Sequence, residues 1–306
     1  MGPVRSIPVE AVQVGTIPLA EVSGLALGRD RAGRLTLVAI GDRSATIAWA
    51  DVQDGYADLA WQTLDLRHAE GTRIPSVDPQ LEALAVDGAL GILLVQEHPN
   101  RAELIDSGDR RVRSHIILEV PDRPGLESLR VSWLDPDCSH AEGVVLLRGG
   151  HLLVLKEKDP AALMEFGPAG DTALGFGPGS WLARSDPWPV AEGEVTLELL
   201  ALWHAGPGVR GACPDFSDAE VGLLGNLVLL SDQGRTVAVV PGRPPGDDPY
   251  RGDFEAERVW ALSGIRDKPE GLAVLPDGTV LVACDRRKVK PNLFAIPRQA
   301  WDVPRS

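Results

Sequence analysis

Two series of mostly acidic residues recur at a fixed offset of fifteen positions: Glu82 with Glu97, Glu142 with Glu157, Ser217 with Asp232, and Glu270 with Asp285. Ser23 and Asp42 fit the same frame once a four-residue insertion in the intervening turn is allowed. Carboxyl groups gathered in one place support a short menu of chemistry. They ligate hard divalent cations, which favour oxygen donors, and a cation held that way can polarise a carbonyl or phosphoryl oxygen and activate water. Alternatively, one ionised and one protonated carboxyl act as base and acid. Crowding itself pushes carboxyl groups toward the protonated form, so such a cluster demands either protons or a cation.

The elements that must position these residues are hairpins. One pattern occurs five times: SGLALGRDRAGRLTLVAIGDR (23–43), EALAVDGALGILLVQEH (82–98), EGVVLLRGGHLLVLKEK (142–158), SDAEVGLLGNLVLLSDQ (217–233) and EGLAVLPDGTVLVACDR (270–286). Each is an apolar run, a Gly-containing turn, a second apolar run and an acidic residue, which reads as a β-hairpin. A third run follows each hairpin (ATIAWAD, RAELID, ALMEFG, RTVAVV, NLFAI) and, more variably, a fourth (59–66, 112–120, 195–203, 257–262). Four strands per repeat make the blade of a β-propeller.

The expected architecture is therefore all-β, with residues 1–306 forming a single five-bladed β-propeller. Six blades is the alternative. Repeat starts at 23, 82, 142, 217 and 270 leave one long interval, read as a Gly/Pro/Trp-rich insertion at about 167–194 that could act as a lid. The segment VEAVQVG (9–15) is expected to close the ring as the outer strand of the last blade.

If the first strand of each hairpin lies innermost, both series surround the same mouth of a central channel. The inner ring is Ser23, Glu82, Glu142, Ser217 and Glu270; the outer ring is Asp42, Glu97, Glu157, Asp232 and Asp285. The small residue after most inner positions (Gly24, Ala83, Gly143, Gly271) suits close approach of strands near the axis. Glu82, Glu142 and Glu270 are the expected metal ligands, for Ca²⁺ before Mg²⁺. Acid/base roles fall to His98, His140, Glu157, Asp232 and Asp285. Substrate contacts fall to Ser23, Asp42, Arg43, Glu97, Lys158, Ser217 and Arg286, the cations among them binding an anionic portion. A purely structural alternative has the repeated acids bonding backbone amides of the next blade.

Acidic side chains number 44 against 30 basic ones, giving a net charge of −14, and no basic stripe is evident. Nucleic acid and anionic membranes are thus not the expected partners; a small-molecule substrate or ligand is. Cys138, Cys213 and Cys284 are too scattered for a disulfide framework or zinc ribbon. Cys138 near His140 suggests a nucleophile pair only by sequence proximity, which says little about geometry. No apolar leader opens the chain, so a cytoplasmic location is expected, and no nucleotide-binding string occurs, so no nucleotide cofactor is expected. Oligomeric state has no sequence signal.

The strings VSGLAL with AIGD, LEALAV with VQEH, AEGVVLL with LLVLKEKDP, FSDAEVG with LVLLSDQGR, and KPEGLAV with LVACD resemble the successive repeats of the SdiA-regulated family of bacterial β-propellers. They are more distantly similar to the esterase-like phytase domain family. The resemblance spans about residues 20–296, apart from the insertion. It implies a propeller with a pocket on one face and suggests calcium, without bringing a defined reaction. The leading functional expectation is a divalent-metal-dependent enzyme hydrolysing an ester, lactone or phosphoester. A metal-independent carboxylate enzyme (glycosidase, lyase or cyclase) and a non-catalytic ligand- or protein-binding propeller are the alternatives.

Overall fold

The computed structural model describes residues 5–75, 77–96, 101–119, 140–158, 160–244 and 252–298. Strands β1 (Ser6–Glu10) and β2 (Val12–Gly15) open the chain. The first sheet then runs outward as β3 (Val22–Arg29), β4 (Leu35–Gly41), β5 (Ser44–Asp51) and β6 (Gln62–Asp65). The second comprises β7 (Leu81–Val86), β8 (Gly91–Gln96), β9 (Arg101–Asp106) and β10 (Arg111–Glu119). In the third, β11 (Ala141–Leu146), β12 (Leu152–Lys156) and β13 (Ala162–Pro168) precede the long β14 (Gly193–Ala205). A short helix, α1 (Pro207–Ala212), leads to β15 (Asp218–Val221), β16 (Leu227–Ser231) and β17 (Thr236–Val240). Strand β18 (Gly252–Phe254) precedes β19 (Arg258–Ser263), which completes the fourth sheet. The fifth is β20 (Lys268–Val274), β21 (Val280–Asp285) and β22 (Leu293–Ile296), with β2 on its outside.

The inner strands touch in succession, β3 to β7 to β11 to β15 to β20, and β20 returns to β3. The sheets therefore radiate from a closed ring, the arrangement of a β-propeller. Among the described residues no helix is long and apolar enough to cross a membrane.

Packing between sheets explains why the strand sequences are continuously apolar rather than alternating, since each sheet is covered on both faces. On β8, Ile92 and Leu94 face the first sheet while Leu93 and Val95 face the third. The same two-sided division recurs around the ring, and the seam between the fifth and first sheets is filled by residues such as Leu281, Ala283, Leu25 and Leu37. Asn292, fully buried there, accepts the Ile17 amide N–H through Oδ1 at 2.7 Å.

Closure differs from expectation in one respect. Residues 9–15 do not form one outer strand: β2 pairs antiparallel with β22, whereas β1 lies parallel to β19 on the fourth sheet. The step between them is Ala11, buried and donating its N–H to Ser263 O at 2.9 Å. Crossing the seam in this way lets one short segment cover two sheet edges. Two other edges are covered by parallel pairing of β10 with β14 and of β18 with β14.

The insertion, residues 169–192 between β13 and β14, is packed rather than loose. Trp188 is buried among the second- and third-sheet side chains and donates its indole N–H to His151 O at 3.2 Å. Trp181 donates to Gly225 O at 2.8 Å.

Candidate functional site at the mouth of the central channel

The inner-ring residues owe their direction to a repeated backbone irregularity. Pairing shifts register between Val22 and Gly24, Leu81 and Ala83, Ala141 and Gly143, and Pro269 and Gly271. The extra residue in each case is Ser23, Glu82, Glu142 or Glu270. In the fourth sheet both Ser217, through its N–H, and Asp218 face Leu230. A bulge puts two residues opposite one and re-aims a side chain, and here it turns four successive inner strands' polar residues away from the interblade cores. The glycine that follows is needed where backbones crowd: a Cβ on Gly271 would lie 2.8 Å from Leu25 Cβ, and one on Gly143 would lie 3.2 Å from Asp218 Cα.

Ser23, Glu82, Glu142 and Glu270 line one cavity of about 570 Å³. Glu21, Asp42 and Asp285 add acid to its wall; Arg43, Lys268 and Arg287 add positive charge. Burial, followed by the neighbouring charges of Glu82, Glu270 and Glu157, pushes the Glu142 carboxyl up to about 10. Burial also raises Glu270, to about 7, although the ion pair with Lys268 holds it down. For Lys268 itself burial opposes the charge, but the facing Glu270 outweighs burial and raises its pKa. Asp42 and Asp285 are raised by burial, against the pull of Arg43 and Lys268 respectively. Burial thus favours the protonated form of both Glu142 and Glu270 over that of an exposed carboxyl.

The outer positions divide. Asp42 lies 3.6 Å from Arg43, and Lys158 Nζ lies 2.5 Å from Glu157 Oε2. Glu157 also sits 3.8 Å from His140 Nδ1. Ligand atoms of His140, Glu142 and Glu157 all fall within 4.8 Å of one another, a gathering that Glu82 and Glu270 do not join. Asp232, raised by burial against the nearby Lys268 charge, stands behind the lining. Glu97, His98 and Cys138 lie outside the described residues.

Three expected substrate contacts, Lys158, Ser217 and Arg286, do not line the cavity, nor do the expected acid/base groups His140, Glu157 and Asp232. Arg286 is turned away to pair with Asp267, and the next residue, Arg287, takes its place. Ser217 is buried with its hydroxyl unpartnered and does not reach the lining. The insertion is not a lid over the acids either. Arg184 donates to Val274 O at 3.1 Å and pairs with Glu220 at 3.6 Å, so the insertion crosses the far ends of β15 and β20 and stops the opposite end of the channel. Its long path is explained by that crossing.

Lys268, Glu21 and the channel acids Asp218 and Glu220 escaped the sequence reading. The first two had a signal: two positions before each bulge residue stand Glu21, Gln80, His140, Asp215 and Lys268, a third series in the same frame. Glu21, Gln80 and His140 share a left-handed backbone, φ 50°, 49° and 65°, a conformation uncommon for non-glycine residues.

No protein-family model and no curated protein matches the sequence. Solved structures do. They include a luciferin-regenerating enzyme (9% identity, 93% of each chain, TM-score 0.48) and a streptogramin B lyase (11%, 94% of this chain and 96% of that one, 0.44). A functionally unknown protein from Desulfotomaculum acetoxidans is also similar (12% identity, 87% of this chain, 0.42). This chain spans 63% of the length of that last protein and 65% of one from Bacteroides caccae. The propeller class rests on the closed ring of inner strands, and no match places the chain in the SdiA-regulated family.

Proposed function

We propose that the acidic mouth is a small-molecule site that holds a divalent cation, Ca²⁺ before Mg²⁺, and hydrolyses an ester, lactone or phosphoester. The observation that supports it is the projection of Glu82, Glu142 and Glu270 from bulges on three separate inner strands into one cavity. Oxygen-only donors of this kind suit a hard cation, with Glu142 central and Glu82 and Glu270 completing the set. The ion would supply Lewis-acid polarisation of the scissile carbonyl or phosphoryl oxygen and a more acidic water. Glu142 loses its proton on ligation. His140, 3.8 Å from Glu157, takes the proton of the attacking water and returns it to the departing alcohol oxygen as the acyl or phosphoryl bond to that oxygen breaks. Arg43 and Arg287 orient an anionic part of the substrate.

The test is a screen of ester, lactone and phosphoester substrates with and without exhaustive EDTA. Activity that is lost with EDTA and restored by Ca²⁺ supports the reading, and activity indifferent to EDTA overturns it. A second reading, favoured by the separated carboxyl groups of Glu142 at about 10 and Glu270 at about 7, is a metal-free acid/base pair. It predicts the EDTA-indifferent result. The likeness of the five hairpin strings to SdiA-regulated propellers belongs with this proposal and adds no reaction to it.

A further inference from the structure

Beside the acidic mouth lies a second, larger hollow of about 910 Å³, between the fifth sheet's outer loops and the N-terminal segment. Its cations are Arg266, Arg286, Arg287, Lys288 and Lys290, against the acids Glu10, Asp267 and Asp285. That sign is unexpected in a chain of net charge −14. The lysines of the whole chain are Lys156, Lys158, Lys268, Lys288 and Lys290, so two of them fall in this hollow and a third, Lys268, lines the cavity next to it. Arg266, Arg287, Lys288 and Lys290 are exposed, and none makes an ion pair within 4.0 Å among the described residues.

Asp285 and Arg287 line both hollows, so they form the wall where the two meet. Two buried polar atoms lack a hydrogen-bond partner at that wall: Asp285 Oδ1 and Arg286 Nε. A buried donor left unmet costs about 1–3 kcal/mol, more if charged, and such atoms call for an explanation. The floor carries apolar surface from Ala11, Val12 and Phe294.

We propose that this hollow is the anion-binding subsite of the acidic mouth, and that the substrate is an organic phosphate whose phosphate end rests on Arg287, Lys288 and Lys290 while its apolar part lies on Val12 and Phe294. The proposal rests on reading the mouth as a small-molecule site. Phosphate fits better than a single carboxylate because several uncompensated cations, arginine among them, match three acceptor oxygens and more than one negative charge. The volume exceeds what a free inorganic ion needs. Arg287 at the shared wall places the phosphate end next to Glu142 and Glu270 without burying it among them.

The experiment is calorimetric titration of inorganic pyrophosphate into the full chain in EDTA, with citrate and phosphatidylserine vesicles as parallel arms. Three proteins are compared: the wild type, Lys288→Gln/Lys290→Gln, and Arg148→Gln/Arg210→Gln, which removes the same charge from exposed positions elsewhere. Saturable pyrophosphate binding is expected, weakened about tenfold or more in the lysine pair and changed less than about twofold in the arginine pair, because charge-assisted bonds rather than net charge carry it. Equal weakening in both variants overturns the proposal, as does tighter binding of citrate, binding to vesicles alone, or no saturable binding. Because the titration contains no divalent ion, its failure is separate from failure of the metal reading. Ca²⁺ binding without pyrophosphate binding sinks only the subsite, and the converse sinks only the metal.

Discussion

The two ends of the central channel are lined by the same inner strands and both contain buried acid, yet they are finished differently. Inside the channel Asp218, fully buried, accepts the amide N–H groups of Leu272 at 2.6 Å and Ala219 at 2.8 Å, and toward the stopped end Glu220 accepts that of Val221 at 2.7 Å and faces Arg184. The Asp218 bond to Leu272 does what repeated acids in a propeller do structurally: it ties the backbone of one sheet to the next. At the mouth, Glu142 and Glu270 face a cavity and one another, and burial and repulsion raise both. Identical residue types thus divide by whether backbone amides or open space receive their oxygens. An acid that meets amides holds the fold, and an acid left facing space is available for a ligand.

That contrast can be broken most severely at an acid whose oxygens all meet donors. Glu165, fully buried, accepts from Leu174 N at 2.7 Å, Gly175 N at 2.9 Å and the His151 ring at 2.8 Å, pinning the insertion to the third sheet. Glu165→Ala strands those donors and should cost about 3–5 kcal/mol, read as a lowered denaturation midpoint in urea, with divalent-ion affinity retained in the folded fraction. Asp218→Ala should cost somewhat less, about 2–4 kcal/mol for two stranded amides, again without changing ion affinity. A matching loss of affinity would mean the two ends are not separate in function. At the mouth the pattern should invert: Glu142→Gln should leave the midpoint unchanged or raise it, since it removes a crowded acid.

The propeller was legible in the sequence because apolar runs of strand length, turn glycines and a common frame recur around the chain, and those features are local. Convergence of Glu82, Glu142 and Glu270 was legible for the same reason, as equivalent positions in a ring must meet. Three things were not. The division of residues 9–15 depends on which sheet edges remain uncovered, a property of the closed ring. The destination of the insertion depends on Arg184 finding Glu220 and the Val274 carbonyl, a contact between segments far apart in the chain. The choice of Arg287 over Arg286 turns on a one-residue alternation at the end of β21 and on Asp267 capturing Arg286, which no spacing rule reveals.

Smaller effects sharpen the comparison through pH. Burial opposes a charge on His151, but bonds to Glu165 and to Asp171 at 3.2 Å outweigh it and raise its pKa above 6.5. A raised histidine stabilises fully below the unfolded value and loses that contribution as pH rises through the folded one. The stability gap between wild type and His151→Gln should therefore shrink from pH 6 upward in urea titrations. Glu142, an acid raised from 4.5 to about 10, follows the same sign: the folded state binds the extra proton, so the apo protein loses stability as pH rises over that range. A cation that replaces the proton restores it, so the thermal shift produced by Ca²⁺ should grow between pH 6 and pH 9. A shift that is flat with pH would remove Glu142 from the ligand set.

The most direct measurement is calorimetric titration of Ca²⁺ into the wild type and the Glu142→Gln variant at pH 8 in two buffers of different ionisation enthalpy. The account predicts saturable binding to the wild type with protons released to the buffer, and binding weakened about tenfold or more when Glu142 is neutralised. Binding that persists unchanged in the variant, or that releases no proton, would contradict the claim that the acidic mouth trades the Glu142 proton for a divalent cation.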